Sequence, residues 1–218
     1  MAKSEVKPLR EEIYNQLIQD IVSGRINPGE KLPELELCKK FNVSRTPIRE
    51  ALFQLEQDGW INIIKNRGAV VEKIGFEKIE ELYDLIALLE EHATRIAVEG
   101  KITKKEISQL KKLQKEMEQC ASDRNFFKYI EKNSEFHEFF VRKCGNETLA
   151  QITMDFRRKV YSIIARGFTL PAYIDYYAES HEKIINAVSE KNSVKAAKLM
   201  KEHTLDAKRF FLKERLHQ

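Results

Sequence analysis

Long apolar runs are missing from this chain of 218 residues. No stretch approaches the ~20 uncharged apolar residues that a membrane-spanning helix needs. The opening Met1-Ala2-Lys3-Ser4-Glu5 leads into no signal-peptide core, so a cytoplasmic location is expected. Cysteine is scarce: Cys38, Cys120 and Cys144 lie far apart, with neither a disulfide framework nor zinc-ribbon spacing. They read as helix-packing residues in a reducing compartment. Charge of one sign is also lacking. The formal net charge is +4, and acids are interspersed with bases even in the N-terminal third. Composition alone therefore does not announce a nucleic-acid binder, and any positive surface must be local. Fixed-period repeats and low-complexity segments are absent as well. What remains is 42% apolar and 33% charged, the profile of a helix-rich globular protein with one large domain or two modest ones.

The most informative stretch is Val43-Ser44-Arg45-Thr46-Pro47-Ile48-Arg49-Glu50-Ala51-Leu52. It reads as a short helix, capped by Ser44 and with Thr46 and Pro47 in its first turn, where no N–H partner is required. Ahead of it stand the turn Phe41-Asn42-Val43 and an amphipathic helix from about Glu34 to Phe41. Two helices joined so tightly form a helix-turn-helix, whose second helix puts its N-terminal residues against bases in the major groove. Arg45 and Arg49, four residues apart, share one face. Arginine's planar fork matches guanine O6 and N7, or a phosphate, with two hydrogen bonds. Lys39 and Lys40 could add to the positive surface.

Upstream, Ile13, Leu17 and Ile21 fall at helical spacing in a helix from about Leu9 to Ser23, ended by Gly24; Pro28-Gly29 then turns the chain. Downstream, Asp58-Gly59 stops the third helix, and two β runs follow, Trp60–Ile64 and Ala69–Ile74. Their connection, Lys65-Asn66-Arg67-Gly68, suits a tight hairpin with a basic tip for phosphates or the minor groove. A helix-turn-helix followed by such a hairpin is a winged helix. The chain divides near residue 75, giving a winged helix-turn-helix over 1–75 and a second domain over 76–218. That second part carries no strand pattern. Six helices are expected at about 76–98, 103–121, 125–143, 146–166, 173–190 and 193–214, and their short connections imply an antiparallel bundle. The fold class is mainly α.

Within the bundle, three histidines face inward from three helices. His137 shares a face with Ile130, Asn133, Phe140 and Val141; His181 with Tyr177, Ile184, Ile185 and Val188; His203 with Met200, Ala207 and Phe210. Singly, each reads as a neutral core histidine satisfied by one or two hydrogen bonds. Three converging in one small bundle are harder to satisfy separately, and imidazole suits zinc, nickel, cobalt or manganese.

Residues Leu9–Ile74 resemble the winged helix of the GntR transcriptional regulators. The resemblance rests on Ile21–Gly29, on Val43–Leu52, and on Leu55, Gly59 and Arg67-Gly68 in the same order and spacing. It implies operator contacts by Ser44, Arg45, Thr46 and Arg49, with Lys65, Arg67 and Gly68 in the wing. The remainder is similar to the all-helical FCD domain of the FadR branch, in its six-helix VanR-like form. Asn133-Ser134-Glu135-Phe136-His137, Gly145-Asn146, Ser180-His181 and Met200–His203 carry that likeness. It implies a metal held by Asn133, His137, His181 and His203, a homodimer, a palindromic DNA operator and a small-molecule effector, with repression the commoner role.

Two departures from the family pattern matter. Asn133 stands where relatives commonly have aspartate, so a bound ion would be held more weakly. It would also keep more of its charge, favouring a small carboxylate effector. Ile86 stands where many relatives carry an effector-binding arginine, ahead of Leu89-Glu90. Arg157, Tyr161 and Arg166 are possible substitutes, although Arg157, at the border of the apolar face, is better read as a solvated surface arginine. Glu90 could partner a histidine or lie on the surface.

The leading expectation is a transcriptional regulator and not an enzyme. Two alternatives are a metal-dependent hydrolase on a DNA-targeting domain, for which Glu135 and Glu138 are angled off the inward face, and an architectural DNA binder whose histidines are only core.

Overall fold

Ile13, Leu17 and Ile21 are buried together on α1 (Leu9–Val22), and around them the N-terminal unit is built. The computed structural model describes residues 9–22, 24–65, 67–72, 76–164 and 171–215. Contacts divide the chain into two compact units, Met1–Gly75 with Ser162–Gly167, and Phe76–Tyr161 with Phe168–Gln218. In the first, β1 (Lys31–Leu32) precedes α2 (Glu34–Phe41) and α3 (Arg45–Gln57), and β2 (Ile61–Ile64) and β3 (Gly68–Val71) complete it. α1 packs on α3 over Ile48, Leu52 and Leu55, while Trp60, Ile61 and Val71 close the core from the sheet side.

The turn between α2 and α3 depends on Asn42, which takes the left-handed conformation at φ 53°. There its N–H bonds back to α2, and Val43 N–H reaches Cys38 O at 3.1 Å. Asparagine tolerates this region better than most side chains. Ser44 occupies the N-cap position of α3 with extended backbone, yet its side chain makes no capping hydrogen bond. The expected Ser44 cap is therefore positional only, and its hydroxyl faces solvent.

The sheet has a third strand that the sequence pattern concealed. Its order is β1-β3-β2, with Lys31 opposite Val70 and Leu32 opposite Ala69. The two residues Lys31 and Leu32 are too few to display alternation, so only the tertiary pairing reveals β1. β2 starts at Ile61, one residue later than expected, because Trp60 N–H still bonds to Leu55 O of the helix exit at 2.9 Å. Ile64 pairs with Gly68, and Arg67 N–H bonds to Ile64 O at 2.9 Å. Gly68 closes this three-residue wing loop at φ +80°, which a Cβ would strain. Ser23, Asn66 and the expected end of the strand at Lys73-Ile74 lie outside the described residues.

In the second unit α4 (Phe76–Glu99) packs along α9 (Ser193–Arg215), and α5 (Lys104–Ser122), α6 (Phe126–Lys143) and α8 (Pro171–Ser189) enclose a core centred on Phe136, Phe140, Leu110 and Met117. α7 (Glu147–Ile164) buries Leu149, Ala150 and Met154 beside Ala93 and Val141. Local chemistry sets the helix ends. Lys101, Arg124, Gly145 and Lys191 each take a left-handed conformation just after a helix. Thr103, Asn125, Asn146 and Asn192 then cap the next helix by accepting a backbone N–H. Helix ends therefore fall within about two residues of the expected ones wherever both are described. The 167–170 connection and the side chain of Tyr177 lie outside the described residues. Among the described residues no helix is long and apolar enough to cross a membrane.

Candidate DNA-reading surface and histidine centre

The front of α3 is open to solvent. Ser44, Arg45, Thr46 and Arg49 are all exposed, while Ile48 on the opposite side is buried and anchors the helix. Among the described residues no acid pairs with Arg45. Arg49 Nε stands 2.9 Å from Glu34 Oε2 of α2, with the arginine side chain 63% exposed. An exposed pair of this kind is worth about 0–1 kcal/mol. A bidentate contact to guanine is worth about 1–3 kcal/mol, so DNA would outcompete Glu34. Lys65, Arg67 and Gly68 are exposed in the wing. Lys40 belongs to a different device: with Arg25 it neutralises Asp20, a buried carboxylate at the end of α1. Burial would raise the Asp20 pKa, and the lysine and its neighbours outweigh that and lower it.

The bundle brings the three histidines to one point. His137 from α6, His181 from α8 and His203 from α9 are all buried, and one ligand nitrogen from each lies within 4.8 Å of the others. His203 Nε2 is 3.2 Å from both His181 Nε2 and His137 Nε2. Ser180 Oγ sits 2.7 Å from His203 Nδ1. His137 Nδ1 lies 3.0 Å from Glu90 Oε1, near enough for strong attraction although not in line for a good hydrogen bond. A carboxylate on that side holds the proton on Nδ1 and turns the Nε2 lone pair inward. Burial, above all, keeps the three imidazoles below the ordinary histidine pKa.

No assignment of protons satisfies this cluster well. If His203 Nε2–H donates to His137, His181 must present a lone pair, and its Nδ1–H has no partner among the described residues. If His181 Nε2–H donates to His203 Nε2 instead, with the His203 proton on Nδ1, the inward lone pair of His137 faces that of His203. A divalent cation at the centre would accept all three lone pairs. Tetrahedral zinc at about 2.05 Å from each nitrogen requires nitrogens roughly 3.4 Å apart, close to the 3.2 Å that separates His203 Nε2 from each of the other two. The donor set fits zinc, nickel or cobalt, and Asn133 lines the cavity beside it. Asn133 Nδ2–H donates to Tyr161 Oη at 2.8 Å.

Arg157 is not on the surface. It is 6% exposed, donates to Glu90 Oε1 at 2.6 Å and also to Tyr161 Oη. The reading of a solvated Arg157 is corrected by the stripe Ala150, Thr153, Arg157, Val160, which faces inward at helical spacing. Arg157 and Tyr161 thus line the same cavity as His137 and His203. Arg166 lies outside the described residues. Glu90, 1% exposed, is a partner of His137, and its other oxygen accepts from Thr204 Oγ1 at 2.8 Å. Burial would raise the Glu90 carboxyl; Arg157 and then His137 outweigh it and hold it at about 2. Thr204 carries no signal in the sequence, and Ser180 stands in the family likeness only as the neighbour of His181. Glu90 carried a signal, an acid at an inward position between Ile86 and Ala93. Glu135 and Glu138 point elsewhere, to Lys132 at 2.7 Å and Arg142 at 2.5 Å.

Comparison with known proteins agrees with both units. Residues 9–71 match the family described as bacterial regulatory proteins, gntR family, and residues 81–206 match the FCD domain. The uncharacterized HTH-type transcriptional regulator YdhC of Bacillus subtilis (strain 168) is 28% identical over 195 residues, covering 89% of this chain and 85% of YdhC. The HTH-type transcriptional repressor RspR of Escherichia coli (strain K12) is 24% identical, covering 90% and 86% of the two chains. The solved structure of E. coli McbR/YncC shares the fold, with a TM-score of 0.73 over 95% of this chain and 99% of that one at 19% identity. A DNA-reading winged helix joined to an FCD bundle, matched in sequence and in fold, places the chain in the GntR family of DNA-binding transcriptional regulators.

Proposed function

We propose that this regulator is a ligand-responsive repressor, a homodimer that reads a palindromic operator and is released by a small carboxylate bound beside a metal. The observation that carries the reading is the convergence of three buried histidines, each with a ring nitrogen within 4.8 Å of the other two. Ser44, Arg45, Thr46 and Arg49 contact the operator from α3, and Lys65, Arg67 and Gly68 form the wing contact. Repression follows the likeness to RspR, itself described as a repressor. In this reading His137, His181 and His203 hold a divalent transition metal, and Asn133, which lines the adjoining cavity, adds a neutral oxygen. The metal supplies a Lewis-acidic anchor for an anion. Four neutral donors leave its charge uncompensated, which selects a carboxylate over a neutral ligand. Arg157 and Tyr161 line the same cavity and complete the anion site. Leu85 and Leu88 on α4, 46% and 55% exposed, offer an apolar surface to a second copy.

The test uses metal-depleted protein and an operator recovered by in vitro selection. Titration with Zn2+ or Ni2+ is expected to show uptake at micromolar concentration that His181→Ala and His203→Ala abolish. A panel of small carboxylates added to metal-loaded protein should then contain one that weakens operator binding by about 5–150-fold, the usual range of allosteric coupling. Absence of metal uptake, or indifference of the operator complex to the whole panel, would sink the reading.

A further inference from the structure

Glu90 is the group on which the bundle's polar interior is organised. Its carboxylate meets Arg157 of α7 at 2.6 Å, His137 of α6 at 3.0 Å and Thr204 of α9 at 2.8 Å, while Glu90 itself comes from α4. Four helices therefore join at one side chain. An anionic ligand entering beside the histidines would seek the same partners, a guanidinium fork next to an imidazole. Arg157 is the one arginine among the described residues lining that cavity, and Glu90 already engages it. The remaining space is about 10 Å³, room for roughly one water and not for a carboxylate with its carbon skeleton. A ligand of that class cannot be added to this arrangement; it must displace part of it.

We propose that Glu90 is a resident carboxylate that occupies the anion place on Arg157, so that an anionic ligand binds by exchange with it and Glu90 sets the affinity threshold for such ligands. This rests on the carboxylate-effector reading above. During exchange Glu90 keeps His137 and Thr204 as partners.

Full-length, Zn2+-loaded protein is titrated with acetate, with chloride as the ionic-strength control, and followed by thermal unfolding. Glu90→Ala opens the carboxylate's place and is expected to melt below wild type. Acetate, and not chloride, should restore it with an apparent Kd at least about ten-fold lower than wild type shows. Adding Arg157→Met should abolish the rescue. If Glu90→Ala does not fold, Glu90→Gln, which keeps the volume and an acceptor for Thr204, is held to the same ten-fold criterion. A Glu90 that is only structural would give a lower melting point with no preference for acetate over chloride, which overturns the proposal. A wild type that binds acetate as tightly as the Glu90 variants overturns it too, while leaving the carboxylate-effector reading intact. Rescue of Glu90→Ala alongside a wild-type operator complex indifferent to every carboxylate in the panel upholds the resident role and removes only the effector reading.

Discussion

Arg45 and Arg49 differ in what holds them before DNA arrives. Arg45 projects into solvent from the first residue of α3, whereas Arg49 rests against Glu34 across an exposed pair. Replacing either arginine by alanine is expected to weaken binding to the selected operator by about 1–3 kcal/mol, measured by fluorescence anisotropy. Glu34→Gln should strengthen it slightly, by less than about five-fold, since the pair it breaks is worth at most ~1 kcal/mol. Operator affinity unmoved in both arginine variants would remove α3 from the interface. The histidine centre has its own residue-scale signature. Burial, foremost, lowers the pKa of His137, His181 and His203 from 6.5, and Glu90 is held at about 2 against an ordinary 4.5. For both kinds of group the unfolded chain binds protons that the folded chain refuses. Their contribution to stability is therefore complete above about pH 6.5 and lost as pH falls, first through the histidines and then, below about 4.5, through Glu90. Urea midpoints should drop steadily between about pH 7 and about pH 5; a flat profile over that span would contradict the placement of the three imidazoles.

At the scale of elements, capping does much to decide where one helix stops and the next begins. Thr103 and Glu106 form a reciprocal capping box, with Thr103 N–H donating to Glu106 Oε2 at 2.7 Å and Glu106 N–H donating to Thr103 Oγ1 at 3.2 Å. Glu106 Oε1 also accepts from Lys143 at 2.6 Å, so the start of α5 is tied to the end of α6. Thr103→Ala is expected to destabilise the bundle by about 1 kcal/mol. That corresponds to a melting-point decrease of roughly 2–4 °C by calorimetry for a chain of this size. No change would show that packing alone positions α5. These ends were legible in the sequence because the breaks between helical stretches are local. β1 was not, because a two-residue strand has no periodicity and exists only through its pairing with β3. Ser44 shows the reverse error: a residue type favoured at a cap can sit in the cap position and leave the N–H groups unbonded.

At the scale of the whole molecule, the winged helix and the bundle each carry their own core, and the proposed ligand response requires one to report on the other. If Leu85 and Leu88 on α4 lie under a second copy, Leu85→Glu combined with Leu88→Glu should yield monomers by sedimentation equilibrium. The same variant should lose tight binding to a two-half-site operator while retaining weak binding to one half-site, because two linked heads bind with a high effective concentration. A variant that remains dimeric would move the interface elsewhere.

The winged helix, the six helix spans of the bundle and the inward faces of His137, His181 and His203 follow from residue order, since helical spacing, caps and turn residues act over a few positions of chain. Which buried charges meet was decided only by the tertiary structure. Glu90 and Arg157 are 67 residues apart, and each looks like an ordinary helical charge until α4 and α7 bring them to 2.6 Å in the interior. Short-range preferences set each helix and its buried stripe, but an ion pair in the core depends on long-range packing, where desolvation makes each charge demand the other.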